Sequence, residues 1–63
     1  MTLTVWRKAV RVLHEGKDFT AKNGVEILQH MGRYGTEYSV RAPGSGTIIA
    51  TWDLMQIKDI LVH

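Results

Sequence analysis

The chain has no cysteine although it is only 63 residues long. No disulfide can stabilise it, so one hydrophobic core must offset the conformational entropy that folding costs. A chain of this length has room for one domain, and folding hides only about 60% of the surface that the unfolded chain exposes. We therefore expect a single small domain over residues 1–63, with every helix and strand packed on the same core.

The composition is typical of a globular domain rather than of a disordered tail. Hydrophobic residues make up 44% of the chain and charged residues 22%. No apolar run approaches the roughly 18 residues that a membrane span needs, so no membrane partner is expected. The first residues lead directly into charged ones, which argues against a signal peptide. With the missing cysteines, these features favour the cytoplasm.

Residues 5–15 have the periodicity of an amphipathic helix. At 100° per residue, the apolar side chains from Val5 to Leu13 fall within an arc about 160° wide, whereas a strand would mix apolar and charged residues on each face. Thr4 is a suitable N-cap and Gly16 a suitable left-handed stop. The opposite face of this predicted first helix carries the basic residues Arg7, Lys8, Arg11 and His14.

A second helix is predicted over residues 21–31, after Thr20 as N-cap. Its apolar residues cluster on one side of a helical wheel. Gly24 weakens such a helix by about 1 kcal/mol relative to alanine, and we interpret it as a point of close approach to the first helix. The polar side would present Lys22, Asn23, Glu26, Gln29 and His30.

Residues 37–53 predict a β-hairpin around the glycine-rich turn at 43–46. A short helix over residues 36–42 is the competing interpretation, but its apolar residues alternate and Pro43 follows. The register depends on the loop. A three-residue loop, 44–46, pairs Val40 with Ala50 and keeps the apolar side chains on one face, whereas a slip by one residue places Val40 opposite Ile49. We predict the three-residue loop.

The last element is a helix over residues 54–62, which Asp53 caps with Gln56 at capping-box spacing. The predicted fold is therefore α+β, in the order helix-helix-β-hairpin-helix. Its predicted core consists of Trp6, Leu13, Val25, Leu28, Val40, Trp52 and Ile57.

Catalysis finds little support in the sequence. The three histidines are far apart along the chain, and no cysteine is available as a nucleophile or zinc ligand. Ser39 and Ser45 have no base nearby in sequence, and paired acids at helical spacing are missing. So short a chain also has little mass from which to build a pocket. We expect a non-catalytic protein with no metal and no cofactor.

Positive charge is concentrated at the start of the chain. Residues 1–22 contain five Lys or Arg and two acidic residues, while residues 23–63 contain three and four. A basic helix face can neutralise DNA phosphates and release their counterions, although a merely solvated face looks the same in sequence. The candidate nucleic-acid-binding residues are Arg7, Lys8, Arg11, Lys22, Asn23, Gln29, Arg33 and Arg41.

The predicted order of elements resembles that of small winged-helix DNA-binding modules, such as phage excisionases and the reading heads of some regulators. This resemblance implies a regulatory or accessory protein, involved in transcription or in a mobile element. Its second helix would enter the major groove of duplex DNA, and its hairpin would be the wing. Asn23 and Gln29 are of the types that pair with adenine.

The alternative is a small protein-binding inhibitor or adaptor, of the phage counter-defence type, that blocks a larger protein machine. Exposed apolar side chains would then make the contact. An unprotected hairpin edge can also pair with a partner strand or with a second copy, as in a homodimer. The candidate protein-interaction residues are Ile49, Met55 and Val62.

Overall fold

The computed structural model describes all 63 residues. Its four strands form one antiparallel sheet in which each strand pairs with its neighbour in sequence. The two helices stand at the two ends of the chain, which confirms the α+β class. No helix is long and apolar enough to cross a membrane. In chain order the elements are α1 (Leu3–His14), β1 (Phe19–Thr20), β2 (Glu26–Gly32), β3 (Gly35–Ala42), β4 (Gly46–Thr51) and α2 (Leu54–Leu61).

The first predicted helix is confirmed as α1, which begins two residues earlier than expected. Thr2, rather than Thr4, is its N-cap, and the Thr2 hydroxyl accepts a hydrogen bond from a first-turn amide at 3.2 Å. Gly16 ends the helix with a φ of +83°, as predicted. The amide of Lys17 then donates to the carbonyl of Val12 at 3.2 Å, which is the long bond of a Schellman motif.

The second predicted helix, over residues 21–31, is wrong. Those residues form a turn followed by β2, which pairs with β1 on one side and β3 on the other. Gly24 has a φ of +92°, which no helical residue adopts. The side chain of Asn23 accepts a hydrogen bond from the Val25 amide at 3.1 Å and stabilises the turn instead. The apolar residues that follow also alternate, so they suit a strand as well as a helix.

The hairpin is confirmed, and residues 36–42 are strand, but the predicted register is wrong. Val40 pairs with Ile49 and not with Ala50, which is the one-residue slip that the alternation argued against. A β-bulge makes the slip possible. Arg41 pairs with Thr47, so Ile48 has no partner residue on β3 and the ladder is shifted on one side of it.

The loop of this hairpin has three residues, but they are 43–45 and not 44–46, because Ala42 pairs with Gly46. The amide of Ser45 donates to the carbonyl of Ala42 at 3.2 Å and closes a four-residue turn. Gly44, at the third position of that turn, has a φ of +75°. Proline followed by a glycine of positive φ is the signature of a type II turn, and this local chemistry fixes the loop.

The last predicted helix is confirmed as α2, and Asp53 is its N-cap, accepting from the Met55 amide at 3.0 Å. The capping box works through an intermediate hydroxyl. Thr51 Oγ1 accepts from the Asp53 amide at 3.1 Å and donates to Gln56 Oε1 at 2.8 Å. The end of β4 is thereby hydrogen-bonded to the first turn of α2.

Both helices pack on one face of the sheet and share one core with it. Of the predicted core residues, Leu28 and Trp52 were placed wrongly, and Val25 is only half-buried at the edge of the core. Leu28 alternates with the buried Ile27 and so lies on the other sheet face, while Trp52 is 76% exposed. The buried residues are Trp6, Ala9, Leu13, Phe19, Ile27, Val40 and Ile57.

The second face of the sheet has no helix over it. We call it the open face. Strand alternation and the pairing of β2, β3 and β4 place on it Leu28, His30, Ser39, Arg41 and Ala50.

Candidate nucleic-acid interface

α1 buries its apolar side against the sheet and exposes its basic side to solvent. Arg7, Lys8 and Arg11 are all exposed, and Arg7 and Arg11 are one helical turn apart. None of their three side chains forms an ion pair or a hydrogen bond within the chain. The only ion pair joins Lys17 to Glu15, at 3.9 Å between exposed side chains. The cations of α1 are therefore available to an external anion.

A groove of about 420 Å³ lies between the first turns of α1 and the turn that follows β1. Lys8 lines it from the helix, and Lys22 lines it from the turn. No acidic side chain takes part in its wall, so the two lysines line a groove without a carboxylate. Its apolar wall includes Met1, Val5, Phe19 and Ala21.

The turn that carries Lys22 is held from both sides. The amide of Ala21 donates to the carbonyl of Val25 at 2.8 Å, and the amide of Gly24 donates back to the carbonyl of Ala21 at 3.0 Å. Gly24 also lies against Pro43 of the hairpin loop, since a Cβ built on Gly24 would come within 2.6 Å of the Pro43 ring. The position of Lys22 beside α1 thus depends on a close packing of two turns that only glycine permits.

Lys8 belongs to both features, because it lies on the exposed side of α1 and lines the groove. It links the two arginines of the helix to Lys22, which sequence analysis placed at the start of a second helix. We call Arg7, Lys8, Arg11 and Lys22 the basic surface. Asn23 lines the same groove, although its carboxamide oxygen is already bonded to the turn.

Gln29 is not part of this surface. Its side-chain nitrogen donates to the carbonyl of Leu13 at 2.9 Å and to that of Lys17 at 3.0 Å, so both amide hydrogens are used within the chain. Its backbone amide donates to the carboxylate of Asp18 at 3.0 Å. Sequence analysis placed Gln29 on the polar side of a helix, but in β2 it faces the end of α1.

Arg33 and Arg41 also lie apart from the basic surface. Arg33 is in the turn between β2 and β3, and Arg41 is on the open face, whereas α1 covers the opposite face of the sheet. The structure therefore brings five of the eight predicted nucleic-acid-binding residues to one region. These are Arg7, Lys8, Arg11, Lys22 and Asn23.

Of the residues predicted for a protein contact, Met55 is exposed, at 57%. Ile49 and Val62 are half-buried and pack against the core. The expected exposure of Ile49 is wrong because the shifted register turns its side chain to the helix-covered face. The residue that becomes exposed in its place is Ile48, at 49%. The sequence did not predict that Ile48 and Trp52 are exposed, because the exposure of both side chains depends on the strand register.

Ser39 has a base nearby in space that the sequence did not reveal. His30 Nε2 lies 3.2 Å from Ser39 Oγ, between neighbouring strands on the open face. This contact lies on an exposed sheet surface, and neither groove of the molecule is lined by both residues. No group of three His, Asp or Glu side chains is placed to hold a metal ion.

Comparison with protein-family models, with curated proteins and with solved structures gives no significant match to this chain.

Proposed function

We propose that the chain is a small, non-catalytic DNA-binding accessory protein that holds duplex DNA by its phosphates. The observation that supports this proposal is the basic surface: four exposed cations on α1 and the adjoining turn, none of them paired with an acidic side chain of the chain. Each cation that contacts a phosphate releases condensed counterions, and this release provides the free energy of binding.

The proposal does not use the winged-helix arrangement, in which a second helix reads the major groove. β2 occupies the place of that helix, and Gln29 uses its amide inside the chain. Contacts to phosphate position a protein on DNA but carry no sequence information. We therefore propose binding that is independent of sequence. Four phosphate contacts correspond to a slope of log K against log salt of about −3.6.

Two double variants test the basic surface. R7A/R11A removes two cations of the helix, and K8A/K22A removes the two that line the groove. Each should lower the affinity for random duplex DNA and reduce the salt slope by about two units. Fluorescence anisotropy with a labelled duplex, at several salt concentrations, measures both quantities.

The double variant R33A/R41A is the matched control, because it removes the same net charge from residues outside the basic surface. It should leave the salt slope unchanged. Equal losses in all three double variants would show that net charge alone, and not this surface, governs binding. Absence of binding by the unaltered chain at about 50 mM salt, where phosphate contacts are strong, would contradict DNA binding altogether.

A protein partner is the second candidate. Trp52 and Met55 are exposed within one short segment, and tryptophan is the residue type most often found at the energetic centre of protein interfaces. In this alternative the chain acts as an inhibitor or adaptor of a larger protein, as a phage-encoded counter-defence protein does. A chain that fails to bind DNA but loses a protein partner on W52A would support this function.

A further inference from the structure

We propose that β4 is a dimerisation strand, along which a second copy of the chain pairs antiparallel to form a continuous eight-stranded sheet. The proposal does not depend on DNA binding. It follows from the edge position of β4, from the near symmetry of its sequence and from the apolar side chains on both sides of it.

β4 is an uncovered edge of the sheet. It is the last strand in the sheet order, so one side of its backbone has no partner strand. Natural edge strands are usually kept from pairing by lysine, proline, a β-bulge or very short length. The other edge, β1, has two residues, but β4 has six, and none of them is charged or a proline. β4 does carry a bulge, which is one of the protective features, but the bulge exposes an isoleucine, Ile48, rather than a charge.

The sequence of β4 fits a second copy of itself. Residues 47–51 read Thr-Ile-Ile-Ala-Thr, which is nearly symmetric about Ile49. In an antiparallel pair with a two-fold axis at Ile49, the two copies of Ile49 face each other. Ile48 then faces Ala50 of the second copy, so a large side chain meets a small one. Such an interface is isologous, because each copy contributes the same residues.

Apolar side chains border this edge in both layers of the molecule. Ile48 in β4 and Trp52 directly after it are both exposed. In the layer formed by the two helices, the hydrogen bond from Thr51 to Gln56 shows that the side of α2 that carries Gln56 is directed to β4. Ile60, which is 38% exposed, lies one turn further along that side. A second copy supplies a strand together with a helix layer and so covers both, whereas an isolated peptide strand would cover only the sheet layer.

The test is the molar mass of the chain as its concentration rises, measured by sedimentation equilibrium. We expect the mass to increase from the 7.1 kDa of one chain towards twice that value. I48K and A50E should each raise the dimer dissociation constant at least tenfold, because each places a charge opposite an apolar side chain at the interface. Circular dichroism checks that both variants are folded.

Two further measurements make the test specific. Y34K introduces a lysine, as I48K does, at a residue that is 95% exposed and lies in the turn between β2 and β3, outside β4. It should leave the dissociation constant unchanged. Mixing I48K with A50E should restore dimers, because the ammonium group introduced in one chain then faces the carboxylate introduced in the other.

A chain that remains monomeric up to millimolar concentration would overturn the proposal. So would a dimer that tolerates both I48K and A50E, since it would have to use another surface. Hydrogen exchange gives an independent result: amides of β4 should exchange more slowly as the concentration rises, and protection elsewhere without protection of β4 would contradict the assigned strand.

Discussion

Gln29 connects three segments of the chain through its side chain and backbone. Its two amide hydrogens satisfy carbonyls of Leu13 and Lys17, and its backbone amide bonds to Asp18. The carbonyl of Leu13 lies in the last turn of α1, where it also accepts from the Gly16 amide at 3.0 Å. Gln29 thus fastens the end of the helix to β2.

Substitution of Gln29 therefore affects folding rather than DNA recognition. Q29A removes two hydrogen bonds and should lower the free energy of unfolding by about 1–3 kcal/mol. Q29E keeps the size but loses both donors, so it should cost at least as much. Urea denaturation measures the loss, and the DNA salt slope of the folded variant should stay unchanged. Unaltered stability in both variants would contradict the role of this side chain.

Ile27 and Leu28 are neighbours that lie on opposite faces of β2. Ile27 is fully buried between the sheet and the helices, whereas Leu28 is half-buried on the open face. I27A should cost about 2–5 kcal/mol, because it leaves a cavity in a small core. L28A should cost less than half as much. Denaturation midpoints compare the two variants, and equal losses would indicate one shared buried face, as in a helix.

The N-cap of α2, Asp53, can be tested against a second aspartate in the same helix, Asp59. D53A removes the N-cap acceptor and should lower stability by about 0.5–2 kcal/mol. D59A removes the same charge from an exposed position later in α2 and should have little effect. The difference between the two melting temperatures reports the cap alone. Similar shifts would mean that overall charge, and not the bond to the Met55 amide, stabilises the helix.

Sequence reasoning succeeded where a single local pattern fixes an element. α1 has one apolar arc and one glycine stop, α2 begins at one aspartate, and the hairpin has a Pro-Gly turn. Residues 21–31 differ, because their apolar residues fit both the helical and the strand period. Pairing with β3 decides between them, and that partner strand lies outside residues 21–31. The bulge at Ile48 is also a property of the paired strands, so no local signal reveals the register.

The same distinction applies to the candidate site. Arg7, Lys8 and Arg11 could be found because periodicity fixes which side of an amphipathic helix faces solvent. Lys22 was placed near them for a different reason, on a helix that does not exist. Residues such as Gln29 and Arg41 were assigned to the wrong surroundings, since the direction of a strand side chain depends on pairing and on which face is covered.

The molecule has two layers, with both helices on one face of the sheet and the open face on the other. In the proposed dimer, the two-fold axis is perpendicular to the sheet, so the helix layers of both copies lie on the same side. The two basic surfaces would then face in one direction. One long duplex could contact both, and the second contact would benefit from the effective concentration that the first creates.

The simple strand order also bears on how the chain folds. Every strand pairs with its neighbour in sequence, so no strand has to cross over another, and the loop of the last hairpin has only three residues. Closing short loops costs little entropy, and local topologies fold faster than those with distant pairings. The most distant contact joins the two ends, where the His63 amide lies 3.4 Å from the Met1 carbonyl. Strand pairing can therefore spread outward from either tight turn, and the docking of α1 beside α2 is the step that closes the largest loop.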